Sequence, residues 1–220
     1  MKKLVFITVF IACYVVSYAQ LNYGIEVGGG VSSMTVSNPD VTEKFGFRGG
    51  FYLSFLPDSI SGFETGVFYE RKGALLKGFI PHYAGNVRNM NVAFDYVEIP
   101  LLLNFKIKKA STFTWKFGVY FAYGFSGSGH ITFEDGSSQL FEEKITNVFK
   151  GQSYTHSGET YTFRPFSTWD IGIKLGYDFC VFKHFSIRPF INIGVLNLGQ
   201  PDDKKMKNMS GILSIGYNFK

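Results

Sequence analysis

The residues of this chain that are equipped for chemistry recur at alternate positions inside apolar stretches. Glu26, Glu64, Glu70, Glu98, Asp170 and Asp178 share a parity with glycines and small polar residues, and so do Arg48, Lys116, Lys174 and Arg188. In an extended chain, alternate side chains leave one face. Six carboxylates and four cations therefore point the same way, opposite a face of Phe, Ile, Leu, Val and Tyr. Two uses are open to such a face. The charges can pair with one another as a structural network, because isolated buried charges are costly, or they can line a narrow polar conduit. A second candidate group lies between residues 128 and 164, where Phe133, Phe141, Phe149, Tyr154, Tyr161 and Phe163 either form an external binding surface or pair across an extended hairpin.

The elements that must position these groups read as eight strands. They run over 22–34, 46–56, 63–72, 92–106, 113–127, 166–179, 185–198 and 209–219. The fifth is the clearest: Phe113, Trp115, Phe117, Val119, Phe121, Tyr123 and Phe125 take one face, and Thr114, Lys116, Gly118, Tyr120, Ala122, Gly124 and Ser126 the other. Strands of soluble proteins average ~5 to 6 residues, whereas a tilted strand needs ~9 to 11 to cross a bilayer. The expected fold is all-β, an eight-stranded antiparallel up-and-down transmembrane barrel with its apolar face toward lipid. Eight strands leave an interior just wide enough for side chains, and Tyr52, Phe68, Tyr96, Tyr120 and Phe190 also point inward. Pro189 falls inside the seventh strand and predicts a bulge there.

Composition fits this arrangement. Aromatic residues make up 18% of the chain, with 25 Gly and 25 Phe, yet hydropathy is near neutral, as expected when apolar and polar faces alternate. No apolar run after the N-terminus reaches the length of a spanning helix. At the N-terminus, Lys2 and Lys3 precede an apolar core from Leu4 to Val16 and a small-x-small site at Ser17-Tyr18-Ala19, the pattern of a secretory signal cleaved after Ala19. Lipidation at Cys13 is the rival reading, poorly matched by Phe10 three residues upstream. Residues 20–220 then form the barrel domain, with Cys180 as the lone cysteine and no intrachain disulfide. Removing two lysines lowers the formal charge of +5, leaving too small a bias to indicate nucleic acid.

Connections alternate in length. Residues 35–45, 73–91, 128–164 and 200–208 are long, and those between them short. Outer-membrane barrels have short periplasmic turns and long external loops, so the long segments are expected outside. Asp135-Gly136 predicts a two-residue hairpin within the longest. The fourth strand carries Tyr96-Val-Glu98-Ile-Pro100-Leu-Leu-Leu. With Trp169-Asp170-Ile-Gly172, Gly176 and the closing Gly216-Tyr217-Asn218-Phe219, the chain resembles the PorT-like outer-membrane β-barrel family of Bacteroidota. The resemblance implies an eight-stranded outer-membrane barrel of a Gram-negative envelope, with some members accompanying secretion or gliding machinery. It brings no catalytic residues and no cofactor.

Other chemistry is thinly represented. The four histidines, His82, His130, His156 and His184, are scattered, and a metal site would need several to converge with carboxylates. Ser126, Ser128, His130 and Asp135 are the nearest approach to a nucleophile and base. His184-Phe185-Ser186 has the His-x-Ser spacing of lipid A deacylases but falls at the short-turn side. The expected partners are outer-membrane lipid and a protein or extracellular ligand held by the external loops.

Overall fold

The computed structural model describes residues 20–36, 40–56, 60–77, 86–108, 111–134, 138–156, 158–163, 165–199 and 205–219. The signal segment 1–19, the Asn38-Pro39 turn, His82 and the Asp135-Gly136 pair lie outside the described residues. Eleven strands are described: β1 Gln20–Thr35, β2 Asp40–Leu56, β3 Ser61–Lys77, β4 Asn86–Phe105, β5 Phe113–Glu134, β6 Leu140–Ile145, β7 Gln152–His156, β8 Glu159–Phe163, β9 Trp169–Cys180, β10 Phe185–Gly194 and β11 Lys207–Asn218.

Eight of them close a barrel in the order β4-β3-β2-β1-β11-β10-β9-β5, with β5 returning to β4. The pairs are antiparallel, and closure between β1 and β11 sets Gly24 opposite Asn218 and Thr35 opposite Lys207. The alternation expected from sequence holds through the apolar band. Val27, Phe51, Val67, Leu101, Phe117, Leu175, Ile191 and Leu213 are exposed, while Glu26, Arg48, Tyr52, Glu64, Phe68, Glu98, Lys116, Tyr120, Lys174, Arg188 and Phe190 are buried inside. Outward aromatics gather at two heights. Phe55 stacks on Phe63, Phe113 on Phe179, and Phe185 meets Tyr217 edge-on toward the short turns; Tyr123 and Trp169, centroids 5.2 Å apart, mark the other border. Such paired girdles bracket the lipid-facing band of membrane barrels.

Beyond the second girdle the strands continue and their pattern inverts. Ala74, Leu76, Val87, Met90, Val92, Phe94, Ile131 and Phe133 turn inward and are buried, while Arg88 and His130 face outward and are exposed. Polar side chains take the outer face at this height, as expected of a wall standing in water, and the apolar side chains form a hydrophobic core within the barrel mouth. Bulges in β4 against β5 at Val87/Asn89 and Asp95/Tyr96, and in β2 against β3 at Glu43/Phe47, lie on this side. The bulge opposite Asp95 leaves Phe125 without a ladder partner, so Ser126 is exposed and not inward as the strict alternation required.

Three other expectations are corrected. Pro189 causes no bulge: the β9–β10 pairing skips Arg188 and Pro189 and resumes in the same register at Phe190 opposite Gly176. A missing N–H removes a ladder bond without adding a residue. The sixth barrel strand, β9, begins at Trp169, not Phe166; the Phe166 ring turns into the mouth and its N–H donates to the Val148 carbonyl at 2.9 Å. The connection around Asp135-Gly136 pairs Glu134 with Leu140 and Phe133 with Phe141, so it is longer than the two residues expected. After β6 the chain forms a separate two-stranded hairpin, β7–β8.

Candidate functional site

Inside the barrel the charged residues are layered along the axis. Nearest the short turns, Lys116 Nζ donates to Glu64 Oε2 at 2.6 Å and to Asn104 Oδ1 at 3.2 Å, while Arg188 Nε lies 3.2 Å from Asp178 Oδ2. Arg188 also pairs with Glu64 and, through Nη1, with Glu26 at 2.7 Å. At mid-height Arg48 binds three carboxylates: Glu26 at 3.0 Å, Glu70 at 2.9 Å and Glu98 at 2.6 Å. Lys174 adds a second cation to Glu98 at 3.0 Å. Toward the long loops, Lys72 lies 3.2 Å from Asp170 and 3.6 Å from Glu70. Tyr120 and Asn208 also donate to Asp170, and Asn192 and Ser210 to Glu70.

Each inward carboxylate thus has a cation within reach, and those of Glu26, Glu70, Glu98 and Asp170 are essentially dry. Aromatic rings sandwich the cations. Arg48 lies 3.6 Å from the Phe68 centroid, Arg188 4.1 Å from Tyr52, Lys72 4.5 Å from Tyr120 and Lys174 4.8 Å from Phe190, contacts that strengthen when water is excluded. Inward glycines make room for the rings: a Cβ on Gly172 would strike Tyr120, and one on Gly176 would strike Phe190.

Glu26, Arg48, Glu64, Glu98, Lys116, Asp170, Lys174 and Arg188, all expected on the inward face, are joined by these ion pairs into one connected set. The sequence reading missed Lys72 as a member, although Lys72 shares the parity of Glu70. Its position at the expected end of the third strand, beside Gly73, disguised it, because β3 in fact continues to Lys77.

Above the charges sits the aromatic cap. Phe94 packs edge-on against Phe166 at 5.1 Å and tilted against Phe149 at 5.8 Å, and Tyr96 meets Phe149 at 6.0 Å. Phe133 contacts Phe141, Tyr154 and Tyr161. Phe133, Tyr161 and Phe163 are buried, while Phe141, Phe149 and Tyr154 are partly so. Of the two uses open to these aromatics, the described geometry is that of packing between β5, β6 and the β7–β8 hairpin. The outward face of that hairpin carries Ser153, Thr155 and Thr160.

The remaining sequence candidates do not converge. Ser126 and His130 face outward on β5, and Asp135 lies outside the described residues. His156 stacks on Phe141 at 4.0 Å. His184 Nδ1 is 2.9 Å from the Asn218 carbonyl, and Ser186 is buried inside the barrel. Among the described residues no group of His, Cys, Asp and Glu is placed to hold a metal ion.

A closed antiparallel barrel with an apolar exterior, two aromatic girdles and an ion-paired interior defines an integral membrane β-barrel. The chain belongs to the family described as outer membrane protein beta-barrel domain, which matches residues 18–196. No curated protein matches the sequence. Among solved structures it is similar to Neisserial surface protein A (NspA), at 10% identity and a TM-score of 0.48 over 90% of this chain and 97% of that one. It is also similar to the Yersinia pestis attachment invasion locus protein Ail in complex with sucrose octasulfate, a heparin analogue (14%, 0.42, over 90% and 99%), and to OprG of Pseudomonas aeruginosa (13%, 0.37, over 90% and 94%).

Proposed function

We propose that this protein is a non-enzymatic outer-membrane barrel with a closed interior, exported by a cleaved signal and oriented with its long connections outside. Its work is done at the capped end, by engaging a protein partner or an extracellular ligand or by accompanying a secretion or envelope assembly, as the PorT-like resemblance suggests. The observation carrying this reading is the filling of the lumen. Paired charges occupy the lower and middle interior, and the cap aromatics occupy the mouth. Both support a lumen closed to a water column, for which an eight-stranded wall leaves little width. Paired, dry carboxylates and cations are also poor acids and bases for catalysis, which needs a group free to exchange protons with a substrate.

Planar-bilayer recording tests the reading. The purified barrel is expected to show no steady, well-defined conductance. Replacing residues 138–163 by a short turn is expected to leave a heat-modifiable barrel that has lost its binding role. Stable single-channel conductance that changes in Glu98→Gln would overturn the closed interior and favour a narrow pore.

A further inference from the structure

At the short-turn end the barrel opens into a polar cavity of about 180 Å³, with Tyr52, Ser54, Asn104, Lys116, Asp178 and Asn218 in its wall and floor. Lys106 and Lys183 also line it, nearer the opening. On the floor, charges cancel: Lys116 faces Glu64, and Arg188 faces Asp178. Toward the opening they do not. Among the described residues neither Lys106 nor Lys183 forms an ion pair, and the described lining sets Lys106, Lys116 and Lys183 against Glu64 and Asp178, an excess of positive charge. Thr112 and Thr114 add hydroxyl donors to the same wall.

We propose that this vestibule receives the carboxylate of an acidic peptide segment. Its volume is below the ~300 to 1,000 Å³ typical of whole small-molecule sites. It therefore takes one short side chain or chain terminus belonging to a longer ligand. Lysine ammonium groups beside hydroxyl and amide donors complement a carboxylate by charge-assisted hydrogen bonds. A peptide fits better than a lipid headgroup, because Lys106 lines the cavity from within the wall, whereas lipids contact the outward ring of Phe105, Phe113, Tyr177 and Phe185. On the orientation proposed above, which is tested separately by labelling Cys180, the ligand is periplasmic. The binding measurement itself is indifferent to orientation.

The test uses the folded barrel in neutral detergent micelles, with amide resonances of Thr112, Thr114, Lys183 and Asn218 followed during titration with tri-glutamate. Saturable shifts are expected that disappear at about 1 M salt, where screening acts within ~3 Å. They are expected to be lost in the double variant Lys106→Gln, Lys183→Gln and kept in Lys106→Arg, Lys183→Arg, each confirmed as folded by heat-modifiable migration. Equal shifts from tri-glutamine, or full binding by the double glutamine variant, would overturn the site. Inorganic phosphate binding as tightly as the peptide would make it a free-anion site and overturn the peptide assignment. Stronger shifts from phosphatidylglycerol nanodiscs than from tri-glutamate would overturn it in favour of lipid.

Discussion

Replacing Arg48 by methionine removes the one guanidinium that touches Glu26, Glu70 and Glu98 together and keeps an unbranched apolar stem against Phe68. Deleting one partner of a buried ion pair costs about 3 to 5 kcal/mol, because it strands the other charge. Here no carboxylate is left wholly alone. Glu26 retains Arg188 at 2.7 Å, Glu98 retains Lys174 at 3.0 Å and Glu70 retains Lys72 at 3.6 Å, so the loss is expected near ~3 kcal/mol, the lower end of that range. Urea unfolding in lipid vesicles reads it through the emission of Trp115 and Trp169, both on the lipid-facing surface. Adding Glu98→Gln to Arg48→Met is expected to recover part of the loss, since the two act within one network. A single-variant loss below ~1 kcal/mol, the value of a solvated surface pair, would refute a dry, shared interior. So would strict additivity of the two changes.

Four further outcomes are expected. Phe117→Arg, on the lipid face, should impair insertion by ~2 to 4 kcal/mol, whereas Lys116→Met, inside, should insert normally but unfold more easily; equal insertion yields would place the register off by one residue. The mature protein should fractionate with outer membranes and migrate faster unheated than boiled, and recovery from the soluble periplasm without detergent would contradict the barrel's location. Cys180, exposed at the short-turn end, should react with a membrane-impermeant maleimide only after the outer membrane is permeabilised; labelling in intact cells would invert the orientation. Gly124→Val should displace Phe149, whose ring occupies the space a Cβ would need, and loosen the cap, seen as faster protease cleavage within residues 138–163 of the otherwise intact barrel; unchanged cleavage would show that Phe149 does not anchor the cap.

The barrel was legible in the sequence where one environment acts along a whole strand. Between the girdles, lipid outside and charges inside impose a single period of two, so Phe113 to Gly124 and Ile187 to Gly194 declare their faces residue by residue. The reading failed where the environment changes partway. Met90, Val92 and Ile131 are inward and apolar under the cap, while Asn91 and His130 are outward and polar, so the pattern that marks lipid exposure below marks the interior above. A sequence window spanning both regions averages two opposite phases and reads as loop. The bulge at Phe125 adds a further slip, which explains why Ser126 was assigned to the wrong face. Cap aromatics such as Phe149 and Phe166 carry no periodic signal, because tertiary fit and not strand geometry decides where each ring goes.

Closure between β1 and β11 carries a consequence for biogenesis. The seam joins Gly24 to Asn218 and Ile25 to Tyr217, partners separated by nearly the whole chain, and until it forms both strands present unpaired edges to their surroundings. Contacts of such long sequence separation form late and slowly, and open strand edges invite pairing with the wrong chain. The strand made last is thus the one that completes the cylinder, and a template that shields the first edge until the last arrives is a demand set by topology.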